Sequence, residues 1–437
     1  MIASGADVII VGAGSSGCVV AERLSRDPRR SVLVLEAGGG PPDRQSLRLS
    51  HLPIGAGSGR AVHYPSAQGF DLPRGRGVGG SSAVNGGYFV RWHQRDFDGW
   101  STEHWSASDI AATYDRLDGG EAGGGIMNAS AFADDELEPT AVAFEKHWND
   151  EGFGRSPTPW PAEGVVRVRS NRDGWYRRSA ADILQPILIQ RPNLQVMTGS
   201  EAVGVRTRGG RAVGVAVGER VLTADEVILC AGTLGTAELL ARSDLLDLDQ
   251  SRIWEHRERL VRFAPAAVRH EPARALLQTV LQTADGIELR CYNDDFASFI
   301  DGLTPSSQAF GVALMHPERS GSLLWDPISR LRVDLGEISP SDADKLGAWA
   351  ARMVAMLQGP RFEQLVEPGT VAVESVVRTS QHAWGTMPMG AATDWLGAAR
   401  AVPGLRIVDA SILPSAGSSG PHATVMMVAS RIADRIA

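Results

Sequence analysis

Cysteine is scarce in this 437-residue chain: Cys18, Cys230 and Cys291 lie far apart and lack metal-ligand spacing. So small and odd a count gives no disulfide framework and fits a reduced, cytoplasmic compartment. Lysine is nearly missing, with Lys146 and Lys345 alone, so almost all of the 43 basic residues are arginine. They are outnumbered by 51 acids, and the formal net charge of −8 argues against a nucleic-acid partner, which needs a net basic surface. No apolar run is long enough to span a bilayer, and peripheral membrane contact is the one membrane association left open. No secretory leader is read either, because Asp7 opens a strand-like run within the first ten residues. A G-x-S-x-G elbow is absent, as are H-E-x-x-H and paired-cysteine motifs, which leaves serine-hydrolase and zinc chemistry without support.

What remains is ordinary globular material, 43% hydrophobic and 22% charged, long enough for one large α/β domain or two to three smaller ones. Val8-Ile9-Ile10-Val11 is short, apolar and mostly β-branched, as a strand covered on both faces requires. It runs into Gly12-Ala13-Gly14-Ser15-Ser16-Gly17, a helical stretch to Ser25, the breaker Asp27-Pro28, and a second apolar run, Val32-Leu33-Val34-Leu35, ending at Glu36. Strand, glycine motif, helix, strand and acid in that order predict a dinucleotide site. Gly12 permits the tight turn, Gly14 lets backbone approach a pyrophosphate, and Gly17 lets helix and strand pack closely. The N–H groups at the helix start, around Ser15 and Ser16, suit the phosphates. Glu36 suits ribose hydroxyls and would repel a ribose phosphate, which disfavours NADP. FAD and NAD are not separated by this unit alone.

The segment Pro73-Arg74-Gly75-Arg76-Gly77-Val78-Gly79-Gly80-Ser81-Ser82-Ala83-Val84-Asn85-Gly86-Gly87 resembles the first signature of the glucose–methanol–choline (GMC) oxidoreductase family. Trp92 departs from it, standing where the family usually has a small residue. Residues 226–240 resemble the second signature until Ser243, after which the match degrades. Ser380-Gln381-His382-Ala383-Trp384-Gly385-Thr386 resembles the family's His-x-x-Gly-Thr stretch, and His422 stands where the family places a second active-site Asn or His. The resemblance implies FAD, with Gly79, Gly80, Ser81 and Asn85 beside the isoalloxazine ring and the Val203 backbone at the adenine. It also implies Asp409 and Ala410 in the flavin site and a helix starting near Ala423 that points at the flavin pyrimidine edge. Val84 stands where some members bond a histidine covalently to the flavin, so non-covalent FAD is expected.

Alcohol oxidation requires loss of a hydroxyl proton and of a carbinol hydride, and alcohols are too weakly acidic to lose that proton unaided. An imidazole with a pKa near 6.5 suits the exchange. His382 is assigned as base and His422 as partner to the substrate oxygen, with the two roles open to exchange. His51, His63, His93, His104, His147, His256, His270 and His316 are read as ordinary polar residues, and Trp384 as core rather than pocket wall.

The expected fold class is α/β. A Rossmann-like FAD-binding domain is assembled from 1–110, 190–245 and 395–437, and a reduced α+β substrate domain with a sheet from 111–189 and 246–394. Residues 193–215 are read as one β-meander, and 342–358 as an amphipathic helix with Leu346, Trp349, Ala350, Met353 and Leu357 at helical spacing. Residues 315–321 resemble the family turn that precedes a cap-domain strand. The charged stretch 244–274 is taken to replace a glycine-rich loop and the strands after it, leaving a more open flavin. Leu52-Pro53-Ile54-Gly55-Ala56-Gly57 with 84–89 resembles the mycofactocin-associated subgroup, implying as donor either a small alcohol or a reduced peptide-derived redox cofactor, with the electron acceptor unknown. The competing readings are a degenerate, non-catalytic flavin-binding relative and an NAD-dependent Rossmann dehydrogenase.

Overall fold

Strand β1 (Gly5–Val11) carries the apolar run 8–11 at the centre of a seven-stranded sheet, with Ile9 and Ile10 wholly buried. The computed structural model describes residues 5–267, 271, 273–326 and 330–437. On one side β1 runs parallel to β2 (Val32–Leu35), and on the other to Arg220–Leu229. Helix α1 (Ser15–Leu24) lies on β1 and β2. The C-terminal helix, His422–Ile436, packs on α1 and is tied to it by Arg23, which reaches Ser430 and Asp434. Close packing of α1 depends on Gly17, since a Cβ there would sit 1.8 Å from the Gly12 carbonyl oxygen.

Residues 193–215 do not form one meander. Leu194–Met197 pairs in parallel with β2 at one edge, whereas Ala202–Arg208 and Arg211–Val217 form an antiparallel hairpin at the other, joined to Arg220–Leu229. The separation has a local cause. Asn193 donates from Nδ2 to the carbonyls of Ser25, Asp27 and Arg30, pinning the start of its strand to the loop that leads into β2. Leu405–Ile407 completes the sheet, parallel to the carboxyl half of Arg220–Leu229.

A second, six-stranded antiparallel sheet has the order Ala372–Thr379, Arg257–Phe263, Gln308–Leu314, Ile287–Tyr292, Leu277–Gln282, Gly164–Arg167. The stretch 244–274 therefore supplies one of its inner strands instead of merely replacing structure; of that stretch, 268–270 and 272, with His270, lie outside the described residues. Period-two alternation divides the faces. Val261, Phe263, Leu289, Cys291, Phe310 and Val312 pack with Phe144 and Trp148 of helix Pro139–Asp150 and with Leu346, Trp349 and Met353 of helix Pro340–Leu357. That second helix begins two residues before the expected start, because the Ser339 hydroxyl accepts the Asp342 N–H and Pro340 fills the first turn. The turn at 315–321 leads into strand Ser322–Asp326. The opposite sheet face carries Glu258, Leu260, Arg262, Glu288, Arg290 and Tyr292, with only Ala309, Gly311 and Ala313 on the strand between them. Among the described residues no helix is long and apolar enough to cross a membrane.

Candidate active site

The polar face of the second sheet and the carboxyl end of β1 enclose one cavity of about 680 Å³. Gly12, Gly14, Ser15, Ser16, Glu36, Gly80, Ser81, Asn85, His382, Asp409, Ala410 and His422 all line it. Gly17, Gly79 and Val203 do not. Gly17 acts at the helix–strand contact, and Gly79, left-handed at φ 99°, donates to the Ala13 carbonyl at 2.8 Å from behind. The neighbours of Val203, Glu201 and Ala202, line the cavity in its place.

Three helices begin at this cavity, and two of them, α1 at Ser15 and His422–Ile436, have no side-chain cap, whereas the first N–H of Gly232–Arg242 is taken by Asp409. Uncapped amino termini present N–H groups and partial positive charge, which suits a diphosphate and any anion formed beside it. Ser16 adds a buried hydroxyl with no partner. Gly12 is held at φ 100°, and a Cβ there would lie 2.5 Å from the Cys230 carbonyl; at Gly80 it would lie 2.7 Å from Gly14 Cα. Two glycine loops thus meet with no room for side chains, forming a floor that fits a dinucleotide. Glu36 holds this floor together. Its Oε2 accepts the Ala13 N–H at 2.9 Å, and its Oε1 accepts those of Gly38 and Gly77 at 2.8 and 2.9 Å. Asp409 joins the other side, accepting from the Gly232 N–H, the Thr236 hydroxyl and the Ser411 N–H, while burial raises its pKa.

At the other end stand the histidines. Strand Ala372–Thr379 ends in a turn that puts Gln381 at φ 66°, a strained value for a residue with a side chain. Arg74 Nη1 donates to Gln381 Oε1, and the next residue, His382, donates its backbone N–H to Glu255 Oε1, each at 2.5 Å. His382 Nδ1 lies 3.0 Å from Nδ1 of His256, and its Nε2 lies beside Gly420 at the cavity. Burial, then Arg290 and Arg74, hold its pKa well below 6.5. His422 stands at the head of the C-terminal helix, edge-on to Phe89 at 5.1 Å. Its Nδ1 lies 3.2 Å from Asn85 Nδ2, and its buried Nε2 has no hydrogen-bond partner. Burial brings its pKa down to about 4, against a smaller opposing pull from the Tyr88 carbonyl.

Between them the sheet contributes a buried ionic network. Arg290 donates to Glu288 at 2.8 Å, to Glu258 at 3.0 Å and to Ser380 at 2.9 Å; Tyr88 and Tyr292 donate to Glu288 and Glu258, both at 2.8 Å. The unexpected Trp92 is buried, donates to the Ser419 carbonyl at 2.9 Å and lies flat against Gly417, bracing the loop before His422. Trp384 is core, stacked on Trp254. His93 is satisfied by Gln282 at 2.8 Å, and His51 by Asp301 at 3.0 Å. His256 departs from its reading as an ordinary polar residue, since it is the partner of His382.

A two-loop dinucleotide floor opposed by paired histidines defines a flavin-dependent oxidoreductase of the alcohol-oxidising class. Residues 6–249 match the amino-terminal module described as GMC oxidoreductase, and 337–429 match its carboxy-terminal module. The chain belongs to the GMC oxidoreductase family, and FAD is its cofactor. An uncharacterised GMC-type oxidoreductase of Rhodococcus erythropolis is 32% identical over 492 aligned residues, covering 98% of this chain and 97% of that protein. A pyridoxine 4-oxidase of Microbacterium luteolum is 32% identical over 55% of this chain and 52% of its own. The crystal structure of pyridoxine 4-oxidase from "Mesorbium loti" superposes with a TM-score of 0.84 at 25% identity, covering 99% of both chains.

Proposed function

We propose that the protein oxidises a CH–OH carbon of a small alcohol, with His382 as the base and His422 as the group that hydrogen-bonds the substrate oxygen. FAD, when bound, supplies the hydride acceptor. The observation that carries the assignment is the state of the two rings. Asn85 Oδ1 accepts the Gly87 N–H at 3.0 Å, which leaves Nδ2 as the group facing His422 Nδ1. The only lone pair of neutral His422 is thereby occupied, and its proton sits on Nε2, an N–H without an acceptor. A ring with no free lone pair cannot act as base, but it can donate to an alkoxide-like oxygen. His382 is bonded through Nδ1, so Nε2 is its nitrogen at the cavity, and with the hydrogen of the His382–His256 contact on His382 Nδ1 it takes the hydroxyl proton as the hydride leaves.

The nucleotide end is read through the same residues. Ser15, Ser16 and the α1 amino terminus hold the diphosphate, Glu36 and residues 200–202 hold the adenosine, and Gly80, Ser81 and Asn85 flank the ring. Val84 offers no nucleophile, so FAD is held without a covalent bond. Segments 1–110, 190–245 and 395–437 form the FAD-binding part, and 111–189 and 246–394 the substrate part. Leu52 and Ile54, in the segment that resembles the mycofactocin-associated subgroup, line the cavity and keep a reduced peptide-derived donor among the substrates to be tried.

The test is anaerobic mixing of the purified flavoprotein with benzyl alcohol, choline, pyridoxine, sugars and mycofactocinol. Bleaching near 450 nm by one of these is the expected result. No bleaching by any of them would leave the degenerate, flavin-binding reading in its place.

A further inference from the structure

His256 is not part of the cavity wall, yet it is the partner of the one imidazole assigned to take a proton. The two rings meet edge-on, with centroids 5.2 Å apart and planes at 89°. Nitrogen atoms 3.0 Å apart must share a hydrogen, and neutral imidazoles bond only when one Nδ1 carries it and the other offers a lone pair. Both rings are neutral at pH 7. Burial, then the charges of Arg290 and Arg74, depress His382; burial, then His382, Arg290 and His316, depress His256. Two arrangements remain. If His256 donates, His382 presents Nε2–H to the cavity and has no lone pair there. If His382 donates, its Nε2 is bare.

The surroundings select the second. Arg257 pairs with Leu314 across the sheet, which sets His256 beside Met315, and the Met315 carbonyl favours a proton on the His256 ring. Nδ1 of His256 is turned to His382, so that proton belongs on Nε2, the nitrogen with no other hydrogen bond. His256 Nδ1 is then an acceptor. We propose that His256 is a positioning residue, accepting a hydrogen bond from His382 Nδ1–H and thereby keeping His382 Nε2 deprotonated towards the alcohol. The balance is simple: the hydroxyl proton moves to His382 Nε2, and the Nδ1–H···Nδ1 bond becomes charge-assisted and stronger without transferring its own hydrogen. The inference rests on His382 as base, but its first readout needs no substrate.

That readout is the imidazole 15N spectrum of histidine-labelled holoenzyme, with His382 assigned by its loss in His382→Gln. His382 should carry its hydrogen on Nδ1 in the native protein and shift to Nε2 in His256→Leu, which has no acceptor. His256→Asn, whose side-chain oxygen replaces Nδ1, should retain the native tautomer. Flavin reduction should slow at least about tenfold in His256→Leu and stay within about threefold of native in His256→Asn. An Nε2–H tautomer in the native protein, or an unchanged tautomer in His256→Leu, overturns the proposal. Visible absorbance confirms that each variant is folded; should His256→Leu not fold, the native spectrum and His256→Asn still decide. Failure of every alcohol to reduce the native flavin would remove the functional reading and leave the tautomer result standing.

Discussion

Asn85 and His422 meet across 337 positions of chain, with Asn85 Nδ2 3.2 Å from His422 Nδ1. The contact joins the second glycine loop to the head of the C-terminal helix and decides which nitrogen of His422 carries the proton. Replacing Asn85 by Asp substitutes an acceptor for the donor, so His422 should gain a proton at Nδ1 and titrate above the value of about 4 set by burial. Asn85→Ala removes two hydrogen bonds, from the Gly87 N–H and to His422; loss of the second, worth about 1 kcal/mol, should slow flavin reduction about fivefold with flavin retained. Stopped-flow reduction under anaerobic conditions measures both. Equal rates in Asn85→Ala and the native protein would remove this contact from the mechanism.

His382→Ala should keep its yellow colour, because the side chain contributes nothing to the glycine floor. Its flavin reduction should fall at least about a hundredfold, the usual contribution of a positioned base. His422→Ala, which removes a donor but leaves the base, should lose less. Reversal of that order would exchange the two roles.

Acid should destabilise the fold chiefly through three imidazoles. His382 and His256 are held well below 6.5, and His422 at about 4. Below pH 6.5 the unfolded chain takes up protons that the folded chain refuses, so stability is complete above 6.5 and is lost as pH falls towards 4. For His422 the loss is on the order of 3 kcal/mol. Asp409 and Glu255, raised by burial, pull the other way over part of this window. Burial also lowers His93 and His147 and raises Asp182, so five imidazoles oppose three carboxyls and Tm should fall from pH 7 to pH 5; a Tm that rises on acidification contradicts the depressed imidazoles. In kinetics, the acid limb of flavin reduction should lie below pH 6.5.

Glu36→Ala would leave the N–H groups of Ala13, Gly38 and Gly77 without their acceptor. Each such loss costs about 1–3 kcal/mol where water cannot substitute. The protein should purify with little flavin and a lowered Tm, and added FAD should restore only part of its colour. Full flavin content in this variant would show that the floor holds its shape without the carboxylate.

The nucleotide end was legible because its chemistry is contiguous. Glycines at 12, 14 and 17, two apolar strands and Glu36 fall within a single βαβ unit, and local sterics dictate their spacing. His382 and His422 were legible for another reason, since each sits in a short segment with its own signature. His256 had no such signal. Its strand reads His256-Arg257-Glu258-Arg259-Leu260-Val261-Arg262-Phe263, with charges on both faces, so alternation does not expose it as a sheet strand. Its polar residues are made tolerable by partners far off in sequence: Arg257 donates to the Leu335 carbonyl, and Arg262 pairs with Glu374. Ile287-Glu288-Leu289-Arg290-Cys291-Tyr292, by contrast, alternates cleanly, and its polar face could have been read as a pocket wall. The misplaced strand Leu194–Met197 shows the same limit, because four residues, three of them apolar, do not say which edge they join.

Gly311 tests whether the ionic network matters to the substrate. It sits between Leu260 and Arg290 on the strand that shows only small residues to the cavity. A Cβ there would lie 1.8 Å from Glu258 Oε1 and 3.0 Å from Tyr292 Cε2, so Gly311→Ala must displace the carboxylate that Arg290, Tyr292 and Ser380 share. Disturbing a buried network of this kind should destabilise the protein by about 1–3 kcal/mol, seen as a lower Tm. The nearest neighbours of a new Cβ are Glu258 and Tyr292, neither of them assigned to FAD, so flavin content should hold while KM for the alcohol rises. Gly347→Ala is the control: it lies in helix Pro340–Leu357 with nothing within 4 Å of a new Cβ, and alanine there should leave KM unchanged and raise Tm slightly. If Gly311→Ala matched that control in both Tm and KM, the Glu258–Arg290 bridge would have no part in shaping the substrate end of the cavity.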